Sequence, residues 1–209
     1  MRRASQAAAA ARPISRVRAR TETLLLDAAL RLFARQGVGA TAIHEIAAEA
    51  GVSNGTFYNY FRTRDEVVEA VSVRLAERLQ EEITASAADV TDAAERMAIG
   101  TRRFVLQAVR DPVWAAALIR VSTSRAAPLA RTAAPALHDL RLGRRQGRFT
   151  YRNEVAALDL ITGTVLAGMR SVLEGRAGAE HPALVAGLVL RGLGISAAEA
   201  DALVRRPLP

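Results

Sequence analysis

Apolar positions recur at helical spacing over nearly the whole chain. Leu25, Ala28, Ala29, Leu32 and Phe33 follow i, i+3, i+4, i+7, i+8, the stripe of an amphipathic helix, and Gly37 and Gly39 interrupt it. Ile43, Ile46, Ala47 and Ala50 repeat the spacing in a short second helix, for which Thr41 is the expected N-cap. Gly51 ends that helix, and Ser53 caps a third running from Asn54 to Phe61. Thr63-Arg64-Asp65-Glu66 reads as a capping box opening a long fourth helix with the stripe Val67, Val71, Leu75, Leu79, Ile83. Further helices are expected over about 89–110, 112–125, 128–147, 153–176 and 181–193, and Ser196 and Glu199 box a short last one. No alternating strand pattern or hairpin signal occurs, so the fold class is all-α. The pattern divides the chain into an arm at 1–15, a three-helix unit at 16–64 and a larger helical domain at 65–209.

Composition narrows the chemistry. Cysteine is absent, which removes disulfides, thiolate metal sites and cysteine nucleophiles. His44, His138 and His181 are far apart and no HExxH spacing occurs. We therefore expect no metal, no cofactor and no enzyme activity. All 29 basic residues are arginine and the formal net charge is +8. Residues 1–64 carry 10 Arg against 4 acids, whereas residues 65–209 carry 19 Arg against 17 acids. The Ala/Arg-rich arm reads as disordered and basic, either a solvated tail or a contact to DNA phosphates or the minor groove. No apolar run approaches the ~18–20 residues of a membrane span, and the start is too short and too interrupted for a signal peptide. The expectation is a cytoplasmic protein with no membrane partner.

The segment 41–61, TAIHEIAAEAGVSNGTFYNYF, carries the most specific signal. Two short helices around Ala50-Gly51-Val52-Ser53 fit a helix-turn-helix. Gly51 permits the left-handed backbone of the turn. At about 100° per residue, Phe57 and Phe61 fall on one side of the third helix. Gly55, Thr56 and Asn59 fall on the other, with Tyr58 and Tyr60 flanking them. A helix that needed only solubility would carry charges there. This face is uncharged, short and rich in donors and acceptors, which suits approach to base edges in a major groove. Thr41, Arg62 and Arg64 are placed to hold phosphates, and His44 to reach a base or phosphate at the groove edge. For Tyr58 the other reading is a half-buried core aromatic, for His44 an exposed helix residue, and for Arg64 a surface charge.

From LRLFARQGVGAT through IAAEAGVSNGTFYNYF to RTRDEVV the sequence resembles the TetR family of bacterial repressors, over roughly residues 20–70. The resemblance implies three N-terminal helices for DNA, a linking fourth helix, and a helical domain for dimerisation and effector binding. It implies phosphate contacts at Thr41, Tyr58 and Arg64, and base-reading or nearby positions at His44, Asn54, Thr56 and Asn59. Two positions depart from the family pattern: Arg64 stands where Lys is usual, and Ala42 where a second Thr is common.

In the larger domain, Leu158, Ile161, Val165, Met169 and Val172 belong to an apolar surface wider than one core-facing stripe. With Leu184 and Leu188 on the following helix they are the expected dimer interface, at the two helices where the resemblance places the family dimer. The alternative is an internal helix pair of a monomer. Met97, Phe104, Trp114, Leu118, Val121 and His138 are the expected lining of an effector pocket. Arg141, Arg144, Arg145, Arg148 and Arg152 line one helix side, read as a solvated face or as a site for an anion. Together these readings predict a homodimeric DNA-binding regulator, a repressor released from a palindromic double-stranded operator by a small-molecule effector. The rival reading is a helical ligand-binding or interaction protein without DNA-binding activity.

Overall fold

The computed structural model describes residues 2–122 and 133–209, with side chains from residue 17 onward. The expected helix ends at 125 and 128 lie outside the described residues. The described helices are α1 (Arg2–Gln36), α2 (Ile43–Glu49), α3 (Asn54–Tyr58), α4 (Arg64–Ser86), α5 (Ala93–Arg110), α6 (Pro112–Ser122), α7 (Ala134–Arg145), α8 (Glu154–Leu173), α9 (His181–Gly192) and α10 (Ala197–Arg205). No strand occurs among the described residues.

Side-chain caps decide where five of these helices begin. Ser53 accepts from the Thr56 N–H at 3.0 Å, Thr63 from Glu66 at 3.2 Å, Asp92 from Ala94 at 3.0 Å, Asn153 from Ala156 at 3.0 Å and Ser196 from Glu199 at 3.3 Å, each satisfying an orphan donor of a first turn. Asp92 is why α5 starts at Ala93 rather than near 89. Thr41 is not the cap of α2. That place belongs to Ala42, whose own N–H donates to the Glu45 carboxylate at 2.7 Å, while the Thr41 hydroxyl donates to the Gly37 carbonyl at 2.8 Å. The third helix is shorter than its pattern: α3 stops at Tyr58, and the Tyr60 and Phe61 N–H groups both donate to the Phe57 carbonyl. At the other extreme, α1 runs back to Arg2 through the segment expected as a disordered arm. The run Ala7–Ala11 has the highest intrinsic helix propensity, which a reading from low complexity alone undervalues.

The head formed by α1, α2 and α3 is not a separate globule. Leu25, Phe33, Ile46 and Phe57 share one buried cluster with Val67 and Val71 of α4, Val105 of α5, Leu118 and Val121 of α6, and Met169 of α8. The expected division at 64/65 falls at the start of α4, and this cluster runs across it. Polar ties reinforce the join. Arg74 of α4 pairs with Asp27 of α1 at 3.0 Å, and Arg120 of α6 donates to the Phe33 and Ala34 carbonyls at the end of α1 at 3.2 and 2.9 Å. Such a cation also complements the negative end of the α1 dipole. Within the head, Arg31 and Arg35 both bond Glu49 and hold its carboxyl below the ordinary value.

A second cluster joins α5, α7, α8, α9 and α10 through Leu140, Ile161, Leu190 and Leu203. Gly168 lets α8 and α9 approach: a Cβ there would meet Val185 at 2.9 Å. By length and composition α8 is apolar enough to cross a membrane, contrary to the expectation from the sequence, since Asp159 is its only charge between Glu154 and Arg170. Here it is a bundle helix with Ala157, Ile161, Gly168 and Met169 buried.

The arginine row on α7 and after it is largely paired. Arg141 bonds Glu154 through two hydrogen bonds of 2.8 and 2.7 Å, and Arg144 lies over the Tyr151 ring at 4.9 Å. Arg148 grips Asp92 at 2.9 and 3.1 Å and Glu199 at 2.6 Å, clamping α10 onto the α5 cap. Burial pushes the Asp92 carboxyl up, but Arg148 and the Ala94 N–H outweigh it and hold it below the usual range. A lowered carboxylate contributes stability above its unfolded pKa and loses it as pH falls through the folded one, so this clamp weakens only in acid.

Candidate DNA interface and effector cavity

Phe57 is fully buried and Phe61 nearly so, and their rings pack 5.9 Å apart. They pin α3 against the head by one face and turn the other outward. Gly51, at φ +71, makes the turn that sets α3 against α2. On the outward face Asn54, Gly55 and Asn59 are exposed. Thr56 is half-buried and its hydroxyl shares a 2.9 Å hydrogen bond with Ser53. Tyr58 is 54 % exposed, standing edge-on to Phe57 at 5.6 Å. About half of it is thus open to solvent, and it is not among the residues of the buried cluster. His44 and Arg62 are exposed as well.

Three residues expected at the DNA interface are engaged within the protein. Thr41 is 1 % exposed and its hydroxyl donates to the Gly37 carbonyl, so it braces the α1–α2 loop from the wall of the notch between the starts of α2 and α4. Tyr60 is half-buried against the core cluster, with the Arg18 guanidinium 5.7 Å from its ring centre. Arg64 opens α4 and donates to the Gly39 carbonyl at 3.1 Å. Together with Ala42, Ile43, Thr63 and Asp65 it lines a notch where the starts of α2 and α4 meet. Backbone N–H groups at two helix starts plus a guanidinium are suited to a phosphate oxygen. Arg18, exposed beside Tyr60, carries no local signal for this surface. Only the tertiary contact with Tyr60 brings Arg18 there.

Behind the head lies a cavity of about 110 Å³, enclosed by α4, α5, α6, α7 and α8. Met97, Phe104 and Leu118 line it, beside Ile83, Val165 and Met169. Trp114, Val121 and His138 do not. Trp114 packs on Phe104 at 6.2 Å and spends its Nε1–H on the Leu75 carbonyl; Val121 is core; His138 is exposed. The polar groups the sequence reading missed are Gln80, Thr101, Thr162 and an ion pair. Arg96 bonds Asp139 at 2.7 Å, with side chains only 18 % and 13 % exposed. Arg96 also donates to the Ala87 carbonyl, the C-cap of α4, at 3.1 Å. The pair joins residues 43 apart in sequence, which no local pattern reveals. Among the described residues no group of His, Cys, Asp or Glu is arranged to hold a metal.

The expected dimer residues divide. Leu184 and Leu188 on α9 are 59 % and 55 % exposed. On α8, Ile161 and Met169 are buried and Leu158, Val165 and Val172 half-buried: that stripe faces the protein's own core and cavity. The outward face of α8 is instead Ala156, Leu160, Gly163 and Ala167. Small residues carry little hydropathy weight, so the sequence pattern picks out the inward side of α8 and not the outward one.

Comparison with known proteins agrees with this arrangement. Residues 25–71 match the model of bacterial regulatory proteins of the tetR family, and residues 92–206 match a Tetracyclin repressor-like C-terminal domain. The uncharacterized HTH-type transcriptional regulator Rv1255c of Mycobacterium tuberculosis is 40 % identical over 87 residues, 42 % of this chain and 43 % of that protein. HTH-type transcriptional regulator HbdR of Aromatoleum sp. is 33 % identical over 89 residues, 42 % of this chain and 39 % of that protein. The chain thus matches less than half the length of these curated relatives. Among solved structures, RolR in complex with the ligand resorcinol superposes with a TM-score of 0.72 at 30 % identity, over 93 % of this chain and 98 % of that one. The chain belongs to the TetR family of DNA-binding transcriptional regulators.

Proposed function

We propose that the protein is a homodimeric repressor that holds a palindromic operator through its two α3 helices and releases it when a small molecule enters the cavity. The observation that carries this is the α3 surface: Asn54, Gly55 and Asn59 exposed and uncharged, opposite a buried Phe57. Asn59 is the adenine reader and the Thr56 methyl a contact for a thymine methyl. Tyr58, Arg62, Arg64 and His44 hold the flanking backbone. The unpartnered face of Leu160, Gly163, Ala167, Leu184 and Leu188 supplies the two-fold interface. Binding DNA in a bacterium places the protein in the cytoplasm, and we assign it no catalytic step.

The lining supports a small effector bearing hydroxyl groups: Gln80, Arg96, Thr101, Ser122, Asp139 and Thr162 offer hydrogen bonds in a wall that is mostly apolar, around a cavity of about 110 Å³. The ligand of RolR, resorcinol, is of that class. Coupling to the head has a short route. Leu118 and Ser122 of α6 line the cavity, and Arg120 between them grips the end of α1. Arg96 ties the same wall to the end of α4. A ligand that displaces α6 or competes for Asp139 therefore favours a different seating of the head, and the differential contact is what allosteric release requires.

The test is fluorescence titration of the protein onto DNA from upstream of its own gene, followed by a panel of mono- and dihydroxybenzenes. We expect tight, salt-sensitive binding and release by at least one member of the panel. Binding without release by any of them would contradict the effector class, and absence of binding to this DNA would contradict control of the adjacent gene.

A further inference from the structure

Most of the net positive charge of the N-terminal third lies at the start of α1, before the helix-turn-helix. Within residues 22–64 there are four arginines, Arg31, Arg35, Arg62 and Arg64, and four acids, Glu22, Asp27, Glu45 and Glu49, so the helix-turn-helix proper is neutral. Arg31 and Arg35 are moreover spent on Glu49, at 2.8 and 3.2 Å. The whole positive excess of the N-terminal third is Arg2, Arg3, Arg12, Arg16, Arg18 and Arg20, with no acid among them. Affinity for duplex DNA comes largely from cations that displace condensed counterions, and residues 22–64 offer only Arg62 and Arg64 beyond the pair held by Glu49.

The structure shows where that excess enters. The Arg18 guanidinium lies over Tyr60, the aromatic that flanks the base-reading side of α3, and residues 17–20 are all exposed. The helix carrying the other arginines continues N-terminally from that point to Arg2, about 24 Å further at 1.5 Å per residue. We propose that the N-terminal extension of α1 is a DNA-binding arm that lies along the phosphate backbone next to the groove read by α3. It supplies most of the protein's sequence-independent affinity, while Asn59 and its neighbours supply the preference. The inference rests on the DNA-binding reading above.

The test uses the full-length protein with Arg2, Arg3 and Arg12 replaced together by glutamine, beside a second variant with lysine at the same positions. Binding to a short duplex of mixed sequence is measured over about 50–200 mM salt. The wild type is expected to bind with a steep salt dependence. The glutamine variant should bind at least about tenfold more weakly, with the slope of log K against log salt shallower by about 2–3 per chain, since each phosphate contact contributes about 0.9. The lysine variant should keep most of the wild-type slope, and all three proteins should melt together. Wild-type binding with an unchanged slope in the glutamine variant would overturn the arm. So would an equal loss in the lysine variant, which would make the effect structural rather than electrostatic. Failure of the wild type to bind any duplex would instead remove the DNA-binding reading itself.

Discussion

Replacing Leu184 and Leu188 together by arginine is expected to split the dimer and weaken operator binding by about two orders of magnitude or more. Both side chains stand over half exposed on α9, so the fold of the single chain survives the change. In the proposed two-fold dimer, however, the same two positions would face each other, and four new charges would be buried in an apolar contact. The outward side of α8 leaves little to compensate, because Gly163 and Ala167 offer close approach rather than area. Arginine makes the test severe, since added positive charge by itself strengthens attachment to DNA. A loss of operator affinity can then come only from losing the second recognition helix. Sedimentation should report the mass of one chain for the variant and of two for the wild type. A variant that sediments as a dimer would move the interface elsewhere.

The second large effect is on stability. Phe57→Ala empties a fully buried site between the Phe61 ring and the α1 stripe, and such truncations cost about 3–5 kcal/mol. In a chain of this size each kcal/mol shifts the melting temperature by about 2–4 °C, so a fall of the order of 10 °C is expected. Because Phe57 shares its cluster with Val105 and Met169 of the larger domain, the melt should stay a single transition. DNA binding should be lost first, since α3 has only five residues and no side-chain packing to orient it other than these rings. A melting temperature within about 1 °C of wild type would show that the site collapses around the cavity.

What could be read in the sequence was local. Phe57, Phe61, Gly51 and Ser53 declare themselves because a helix of known period must bury one face, turn at a glycine and start at a hydroxyl. The same logic failed by one residue at Thr41, where the loop carbonyl of Gly37 competes for the hydroxyl and Ala42 takes the capping place. It failed more widely in the larger domain. Trp114 was the natural choice for a pocket, being large and solitary, yet the Leu75 carbonyl draws it to the cavity's outer wall. Arg96 and Asp139 could not be paired from sequence, because nothing local relates α5 to α7. On α8 the broad apolar stripe marks the inside, and the outside is marked by glycine and alanine, which hydropathy does not weigh. The charge of the arm was visible from the start. Its direction was not, until Arg18 was found on Tyr60.

The central claim is that α3 reads bases. It is tested most directly by selecting bound sequences from a random duplex pool with the wild type and with Asn59→Ala in parallel. The account predicts that the wild type enriches a palindrome and that Asn59→Ala, folded and still bound to DNA, loses discrimination at one symmetric pair of positions, a mismatch there being worth about 1–3 kcal/mol. Enrichment of the same palindrome with undiminished preference at every position by Asn59→Ala would contradict it.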